Sequence, residues 1–272
     1  MTNVYSSVSA PLTIAGVEQP PMPTLGGLEL ALQTAPSLEA RIRLIVAAIP
    51  GRIAFSTSLG LEDQAILHAI ASVGEDIDVL TLDTGRHFPE TLDTIENSER
   101  RYELKMRIVV PGTDDLQALV ARDGINGFRA SIDARKACCD VRKVRPLRRA
   151  LDGAGGWITG LRRGQSSGRT AVPFAEFDGA FGIAKFNPIA DWSLATLEAY
   201  IATHDIPVNA LHAKGFPSIG CQPCTRAIEP GEDIRAGRWW WENQGGPNLD
   251  GQECGLHNRP ASLSKKPQGS AA

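Results

Sequence analysis

Short apolar segments alternate with helical segments between residues 52 and 160, and this alternation restricts the fold more than any other feature. The apolar segments are too short for helices and predict buried strands at 52–56, 77–82, 106–110 and 156–160. Amphipathic spacing predicts helices at 62–72, 89–102, 114–122 and 141–151. Strands that alternate with helices pair in parallel through right-handed crossovers. The sequence therefore predicts an α/β fold, with a mostly parallel sheet and flanking helices.

The ends of the chain differ from its middle in composition. Residues 1–36 are rich in Pro, Ser, Thr and Gly, which predicts a poorly ordered N-terminal arm. The α/β domain is predicted to extend over 37–250, with a further strand at 181–186 and a helix at 193–204. Residues 251–272 have little periodicity, so we expect them to form a mobile C-terminal tail.

Charge and hydropathy exclude two classes of protein. The chain has 28 Lys and Arg against 31 Asp and Glu, a net charge of -3, whereas a general nucleic-acid binder has a basic excess. No apolar run is long enough for a membrane span, and the N-terminus lacks the pattern of a secretory signal. We therefore expect a cytoplasmic protein whose thiols stay reduced and that binds neither nucleic acid nor membrane.

Small polar residues follow the predicted strands, where ligands bind in parallel sheets. The turn after the first strand contains Ser56, Ser58 and Gly60. Hydroxyl residues and a glycine at a helix N-terminus expose N–H groups, so this turn predicts an anion site, although an ordinary capped turn has the same composition. Asp83 and Thr84 follow the next strand and reach the same edge of the sheet.

Basic residues cluster in a chain that is slightly acidic overall. Eight Lys and Arg lie between residues 129 and 149, among them Lys143, opposed there by two Asp. Gly160 and Arg162 follow the fourth predicted strand, and Arg235 and Arg238 come late in the chain. Arginine suits bidentate binding of phosphate or sulfate oxygens, so these positions predict binding of an anionic substrate.

Four of the five cysteines form two pairs, which are Cys138 with Cys139 and Cys221 with Cys224. Four thiolates could hold zinc or a [4Fe-4S] cluster. Zinc pairs normally have a spacer of two to four residues, which the first pair lacks. Spacing alone leaves both metals open.

Cys254 stands apart from the pairs, in a glycine-rich segment with His257 three residues later. A lone cysteine is usually an incidental free thiol. A flexible, exposed thiol near a histidine is nevertheless a candidate nucleophile, so we treat Cys254 as a candidate catalytic residue.

Together these motifs resemble the assimilatory adenylyl-sulfate reductases, the iron–sulfur branch of the phosphoadenylyl-sulfate reductase family. The resemblance runs in chain order through 56–63, 82–86, 136–147, 160–166, 220–224, 235–241 and 253–257. It implies a fold like that of the adenine-nucleotide α-hydrolases, related to the PP-loop ATP pyrophosphatases. It also implies reduction of adenosine 5′-phosphosulfate to sulfite and AMP, in assimilatory sulfate reduction leading to cysteine biosynthesis.

The resemblance also implies roles for individual residues. The two cysteine pairs would hold a [4Fe-4S] cluster, and Cys254 would be the nucleophile that forms an S-sulfocysteine, with His257 as a further catalytic residue. Lys143, Arg235 and Arg238 would stabilise the charge of the phosphosulfate group. Thioredoxin, or a glutaredoxin-like protein, would be the reductant. The sequence leaves open whether the chains associate as a homo-oligomer.

Three other functions compete with this interpretation. One is reduction of the 3′-phosphorylated substrate, but the branch with that substrate lacks both cysteine pairs. Another is an ATP-using PP-loop adenylating or thiolating enzyme, which would have a Ser-Gly-Gly-x-Asp-Ser turn, whereas this chain has Leu59 and Glu62-Asp63 there. The last is a zinc-stabilised nucleotide-binding module without catalytic activity.

Overall fold

The structure is a computed structural model that describes residues 24–165, 169–245 and 255–256. The first 23 residues and nearly all of the predicted tail, including Cys254 and His257, lie outside the described residues. The predictions of an arm over those first residues and of a mobile tail therefore stay predictions.

Six strands and eight α-helices form the described part of the chain. The strands are β1 (Ile53–Thr57), β2 (Ile77–Leu82), β3 (Arg107–Val109), β4 (Gly156–Ile158), β5 (Ala175–Asp178) and β6 (Ile183–Phe186). The helices are α1 (Leu25–Thr34), α2 (Leu38–Ala48), α3 (Leu61–Val73), α4 (Pro89–Tyr102), α5 (Thr113–Asp123), α6 (Ile132–Cys139), α7 (Arg145–Leu151) and α8 (Leu194–Thr203).

The strands form one sheet in the order β3-β2-β1-β4-β6-β5, in which only β5 runs antiparallel among the described strands. The predicted mostly parallel sheet is thus confirmed. β1 is central and pairs with β2 on one side and β4 on the other. The turns that follow these three strands consequently meet at one edge of the sheet, which positions the functional site.

Both faces of the sheet are covered, as a parallel sheet requires. In β1, Ile53 and Phe55 pack into a core with α2 and α3, whereas Ala54 packs on the opposite face against α7. Trp157 of β4 is fully buried on the α7 face. This double burial explains why the strands read as continuous apolar segments rather than as an alternating pattern.

The expectation of a poorly ordered arm through residue 36 is wrong for the helix α1. Thr24 caps this helix by accepting a hydrogen bond from the Gly27 N–H at 3.2 Å. Leu28 and Leu32 lie one helical turn apart and are buried in the main core, 3% and 0% exposed. The flanking prolines and glycines concealed this apolar stripe, and the domain begins before residue 37.

We expect Leu32→Ala to reduce the free energy of unfolding by about 2–5 kcal/mol, because the substitution leaves a cavity in the main core. Leu30→Ala on the same helix is the matched control, since Leu30 is 62% exposed and exposed positions cost within about 0.5 kcal/mol. Urea unfolding at equilibrium measures both. Equal effects of the two substitutions would mean that α1 does not belong to the cooperative core.

The first cysteine pair lies at the end of a helix that precedes the predicted helix at 141–151. Cys138 and Cys139 are the last residues of α6, whose N-cap Ser131 accepts a hydrogen bond from the Ala134 N–H. A π-helical segment, Asp140–Val144, joins α6 to α7. Such segments occur frequently at functional sites, and this one contains Lys143.

No helix in the described ranges is both long and apolar enough to cross a membrane.

Candidate active site

A cleft of about 540 Å³ opens where the turns after β1, β2 and β4 meet. Most of the residues predicted from the sequence to bind substrate line it together. They are Ser56, Ser58, Gly60, Thr84, Lys143, Gly160, Arg162, Arg235 and Arg238, joined by Cys221. Asp83 is not among the lining residues. Its carboxylate instead accepts a hydrogen bond from the Gly85 N–H at 2.8 Å and shapes the second turn.

The hydrogen-bond donors of the turn after β1 are bound to acceptors within the protein. Asp63 Oδ2 accepts hydrogen bonds from the Ser58 N–H at 2.5 Å and from the Ser58 hydroxyl at 2.7 Å. The Leu59 N–H donates to Thr57 Oγ1 at 2.9 Å. Ser56 Oγ accepts from the Trp157 indole N–H at 2.8 Å. Two of the N–H groups expected to bind an anion therefore already have protein partners.

Asp63 is a central residue of the cleft that the sequence analysis did not select. Burial raises the pKa of its carboxyl to about 6, although the two hydrogen bonds from Ser58 act in the opposite direction. A Cβ on Gly160 would lie 2.1 Å from Asp63 Oδ1, so only glycine lets the turn after β4 approach this carboxyl. The sequence feature that could have identified Asp63 is its position three residues after the N-cap Gly60, a spacing typical of helix capping.

Arg162 follows the same turn and is ion-paired. Its Nε donates to Glu62 Oε1 at 2.8 Å, and its side chain is 4% exposed. The predicted substrate-binding arginine thus lies in the cleft wall with its charge balanced by a carboxylate.

The turn after β2 is joined to both cysteine pairs. Thr84 Oγ1 lies 3.3 Å from Cys221 Sγ, and the Thr84 carbonyl accepts a hydrogen bond from Arg142 Nη1 at 2.5 Å. The Arg86 carbonyl accepts from the Gln222 N–H at 2.8 Å. The turn after β2 thus bridges the loop of the second cysteine pair and the π-helical segment that follows the first pair.

Positive charge borders the cleft beside Cys221. Lys143 and Arg238 line both the cleft and the cysteine pocket next to it. The Arg238 guanidinium lies on the backbone before Cys221: it donates to the Ile219 carbonyl at 3.1 Å, and a Cβ on Gly220 would collide with it. Arg235 lines the cleft as well.

All four cysteines of the two pairs line one pocket, and no disulfide joins these described cysteines. Phe128 and Trp239 cover them in a small apolar cluster of their own, with Trp241 packed against it. Arg135 and Arg238 stack on the Trp239 ring, with their guanidinium carbons 4.3 and 4.9 Å from its centroid. The pocket therefore combines soft sulfur donors, an aromatic cover and nearby cations.

The thiols in this pocket influence one another. Burial, together with the neighbouring Cys221 and Cys139, raises the pKa of Cys224 to about 12. Burial also acts to raise the pKa of Cys221, but Lys143, the contact with Thr84, Arg238 and Arg142 outweigh it, and the net direction is downward. Four thiolates this close need positive charge to balance them, and a metal centre supplies it.

Four thiols in one pocket are the ligand set of a zinc site and of an iron–sulfur cluster alike. In the described part of the chain, no group of three or more His, Cys, Asp or Glu side chains is arranged to hold one metal ion. An iron–sulfur cluster instead gives each thiolate its own iron, so the four thiols need not converge on one point. The free space between the side chains is only about 20 Å³, so the thiols would move apart to admit a cluster.

Leu256 lies two residues after Cys254 and lines the cleft. It packs against the buried cluster on the α7 side of the sheet, as Leu82 of β2 also does. The described fragment of the tail therefore reaches the same cleft as the predicted substrate-binding residues, while Cys254 and His257 themselves lie outside the described residues.

Comparison with known proteins agrees with this site. The phosphoadenosine phosphosulfate reductase domain matches residues 52–227. The adenosine 5′-phosphosulfate reductase of Rhizobium meliloti (strain 1021) is 53% identical over 87% of this chain and 88% of its own. That of Neisseria meningitidis serogroup B is 43% identical over 85% of this chain and 92% of its own.

A solved structure shares the fold as well. The phosphoadenylyl-sulfate reductase of Candida auris, in a phosphate complex, superposes with a TM-score of 0.63 at 26% identity. The superposition covers 75% of this chain and 98% of that one. The domain match extends over all six strands and the cysteine pairs. The chain belongs to the phosphoadenosine phosphosulfate reductase family.

Proposed function

We propose that the protein reduces adenosine 5′-phosphosulfate to sulfite and AMP with electrons from a protein dithiol. The observation that supports this most is the convergence of both cysteine pairs on one pocket that shares Lys143 and Arg238 with the nucleotide-sized cleft. The names of the similar proteins point to the same substrate. A reducing cytoplasm would keep the five cysteines available as thiols.

The first step is transfer of the sulfuryl group to the protein. The Cys254 thiolate attacks the sulfur of the sulfate group, the bridging S–O bond breaks, and AMP leaves. The product on the protein is an S-sulfocysteine. Negative charge builds on the sulfuryl and bridging oxygens, and Lys143, Arg235 and Arg238 stabilise it from the cleft wall.

The second step regenerates the cysteine. A thiolate of thioredoxin, or of a glutaredoxin-like protein, attacks the Cys254 sulfur, and sulfite leaves with the electron pair of the S–S bond. The second thiolate of the reductant then opens the mixed disulfide. The dithiol loses two electrons, which balances the reduction of sulfate to sulfite. Cys254 has to meet first a small molecule and then a protein, which a mobile tail permits.

The two cysteine pairs would hold a [4Fe-4S] cluster. The tandem pair at the end of α6 and the pair at 221–224 would supply one thiolate to each iron. When bound, the cluster adds a compact charged centre beside the cleft. Lys143 and Arg238 would lie between it and the substrate, so they would also balance its charge.

We expect Lys143→Ala to slow formation of the S-sulfocysteine at least about tenfold, equivalent to about 1.4 kcal/mol of transition-state stabilisation. Lys143 lines both the cleft and the cysteine pocket. Lys136→Ala is the control, because Lys136 is exposed on α6 and lines neither. Single-turnover kinetics without a reductant measure the step. Equal rates for the Lys143 variant and the wild type would refute this role.

The proposal is tested by sulfite release from anaerobically purified protein with reduced thioredoxin. Adenosine 5′-phosphosulfate and its 3′-phosphorylated form are supplied in parallel. We expect sulfite and AMP in equal amounts from the first substrate and much slower release from the second. Faster release from the 3′-phosphorylated form would favour the alternative reductase. If neither substrate yields sulfite and the protein consumes ATP, a PP-loop adenylating or thiolating enzyme would be favoured.

A further inference from the structure

The Ser58 side chain is exposed in the cleft, but its hydroxyl proton is already donated to Asp63. Both its N–H and its hydroxyl donate to Asp63 Oδ2, at 2.5 and 2.7 Å. A hydroxyl has one proton and two lone pairs. The Ser58 oxygen can therefore offer only lone pairs to a ligand in the cleft, and it acts as an acceptor.

The turn that presents Ser58 has a strained backbone that these hydrogen bonds hold. Leu59 has φ of 63°, in the left-handed region that a branched side chain rarely adopts, and it is 1% exposed. Such a conformation persists only where its surroundings fix it. Here two hydrogen bonds hold the Leu59 backbone in place. Asp63 accepts from the Ser58 N–H, and Thr57 Oγ1 accepts from the Leu59 N–H.

The charge at this end of the cleft is balanced, because Arg162 and Arg169 line it together with Glu62 and Asp63. Glu62 and Asp63 both lie in the first turn of α3, where they counter the positive helix end. Arg162 is paired with Glu62, and Lys143, Arg235 and Arg238 belong to the wall beside Cys221. A neutral group that donates hydrogen bonds suits the first turn better than a phosphate does.

We propose that Asp63 is a positioning residue that fixes the Ser58 oxygen as the acceptor for a sugar hydroxyl of the bound nucleotide. The inference rests on the proposed function, since it takes an adenine nucleotide as the ligand. Asp63 acts through Ser58 and through the shape of the turn, with its other oxygen against Gly160. The phosphosulfate group would then extend toward the cations beside Cys221.

The ionisation of Asp63 makes the stability of the fold depend on pH. Burial is the main reason that the pKa of the Asp63 carboxyl rises from 3.8 to about 6. The nearby Glu62 also raises this pKa, and Arg169 lowers it. Because the folded-state pKa is raised, the stability associated with this group is fully present below about pH 3.8 and is lost as the pH rises through about 6. Asp63→Asn cannot ionise, so we expect it to melt higher than the wild type at pH 7.5.

The inference is tested by calorimetric titration of the full chain with AMP, 2′-deoxy-AMP and 3′-deoxy-AMP. We expect the wild type to lose about tenfold in affinity for at least one deoxy analogue, because the acceptor then has no donor. Asp63→Ala and Ser58→Ala should each bind AMP about tenfold more weakly and discriminate less between the three ligands, whereas Asp63→Asn, whose amide oxygen still accepts from Ser58, should bind AMP as the wild type does. The double alanine variant should be no weaker than Ser58→Ala alone, because Asp63 acts through Ser58.

Asp114→Asn is the matched control, an exposed acid in the first turn of α5, and it should bind AMP as the wild type does. Equal binding of all three ligands by the wild type, unchanged AMP affinity in Asp63→Ala, or a further loss in the double variant would each overturn the inference. Absence of AMP binding to the wild type would instead overturn the proposed function itself.

Discussion

Replacing Cys254 by serine is expected to reduce turnover at least about a thousandfold, because the substitution removes the only proposed nucleophile. Serine keeps the size of the side chain, but a hydroxyl is a far weaker nucleophile than a thiolate at neutral pH. The four cysteines of the two pairs lie outside the tail, so the variant should keep its metal content and its affinity for AMP. Sulfite release with reduced thioredoxin measures the loss.

The control for this variant is Ser262→Ala, which changes the same tail outside the stretch that resembles the reductases. It should turn over as the wild type does. Residual turnover of Cys254→Ser above about one hundredth of the wild-type rate would contradict a role as nucleophile, since loss of a nucleophile costs far more than that.

Replacing Cys221 by serine is expected to prevent binding of the proposed iron–sulfur cluster and, with it, to abolish nearly all activity. Cys221 is 8% exposed, touches Thr84 and lies beside Lys143, so it joins the cysteine pocket to the cleft. The wild type should be brown and contain about four irons per chain, as four thiolates allow. The variant should have lost the iron and the visible absorption.

Metal analysis and absorption spectra of anaerobically prepared protein measure this effect, and Cys254→Ser is the control that should keep its iron. Stoichiometric zinc without iron in the wild type would contradict the cluster and favour the zinc-stabilised module. Full iron content in Cys221→Ser would show that this thiol is not a ligand.

The sequence predicted the sheet because buried parallel strands leave an unmistakable pattern of short apolar segments between helices. α4 and α8 were also predicted to within a residue, since Pro89 and the N-cap Ser193 fix their starts. By contrast, the antiparallel edge strand β5 has no apolar run, because Glu176 and Asp178 interrupt it and Phe177 is exposed. A pattern of four residues is too short to separate from a loop.

The candidate site was only partly predictable, for reasons that differ between residues. Turns after neighbouring parallel strands must meet, so Ser56, Thr84 and Gly160 could be grouped from the sequence. That Ser58 gives its donors to Asp63 could not be predicted, because it depends on how one turn closes on the next helix. The apparent anion site is consequently a turn rich in acceptors.

The long-range partners of the cysteines were equally hidden. Arg135 and Arg238 are far apart in the sequence, yet both stack on the Trp239 ring. The sequence showed only a cluster of basic residues and a run of three Trp. Charge that is solvated and charge that stacks over an aromatic ring look alike in a sequence, so only the fold distinguishes them.

The central claim, that the sulfuryl group passes from adenosine 5′-phosphosulfate to Cys254, is tested by mass spectrometry of peptides after one turnover without a reductant. The account predicts one added sulfonate on the peptide that contains Cys254, and its removal with release of sulfite when reduced thioredoxin is added. A sulfonate on any of the other four cysteines, or AMP formed without any sulfonate on the protein, would contradict it.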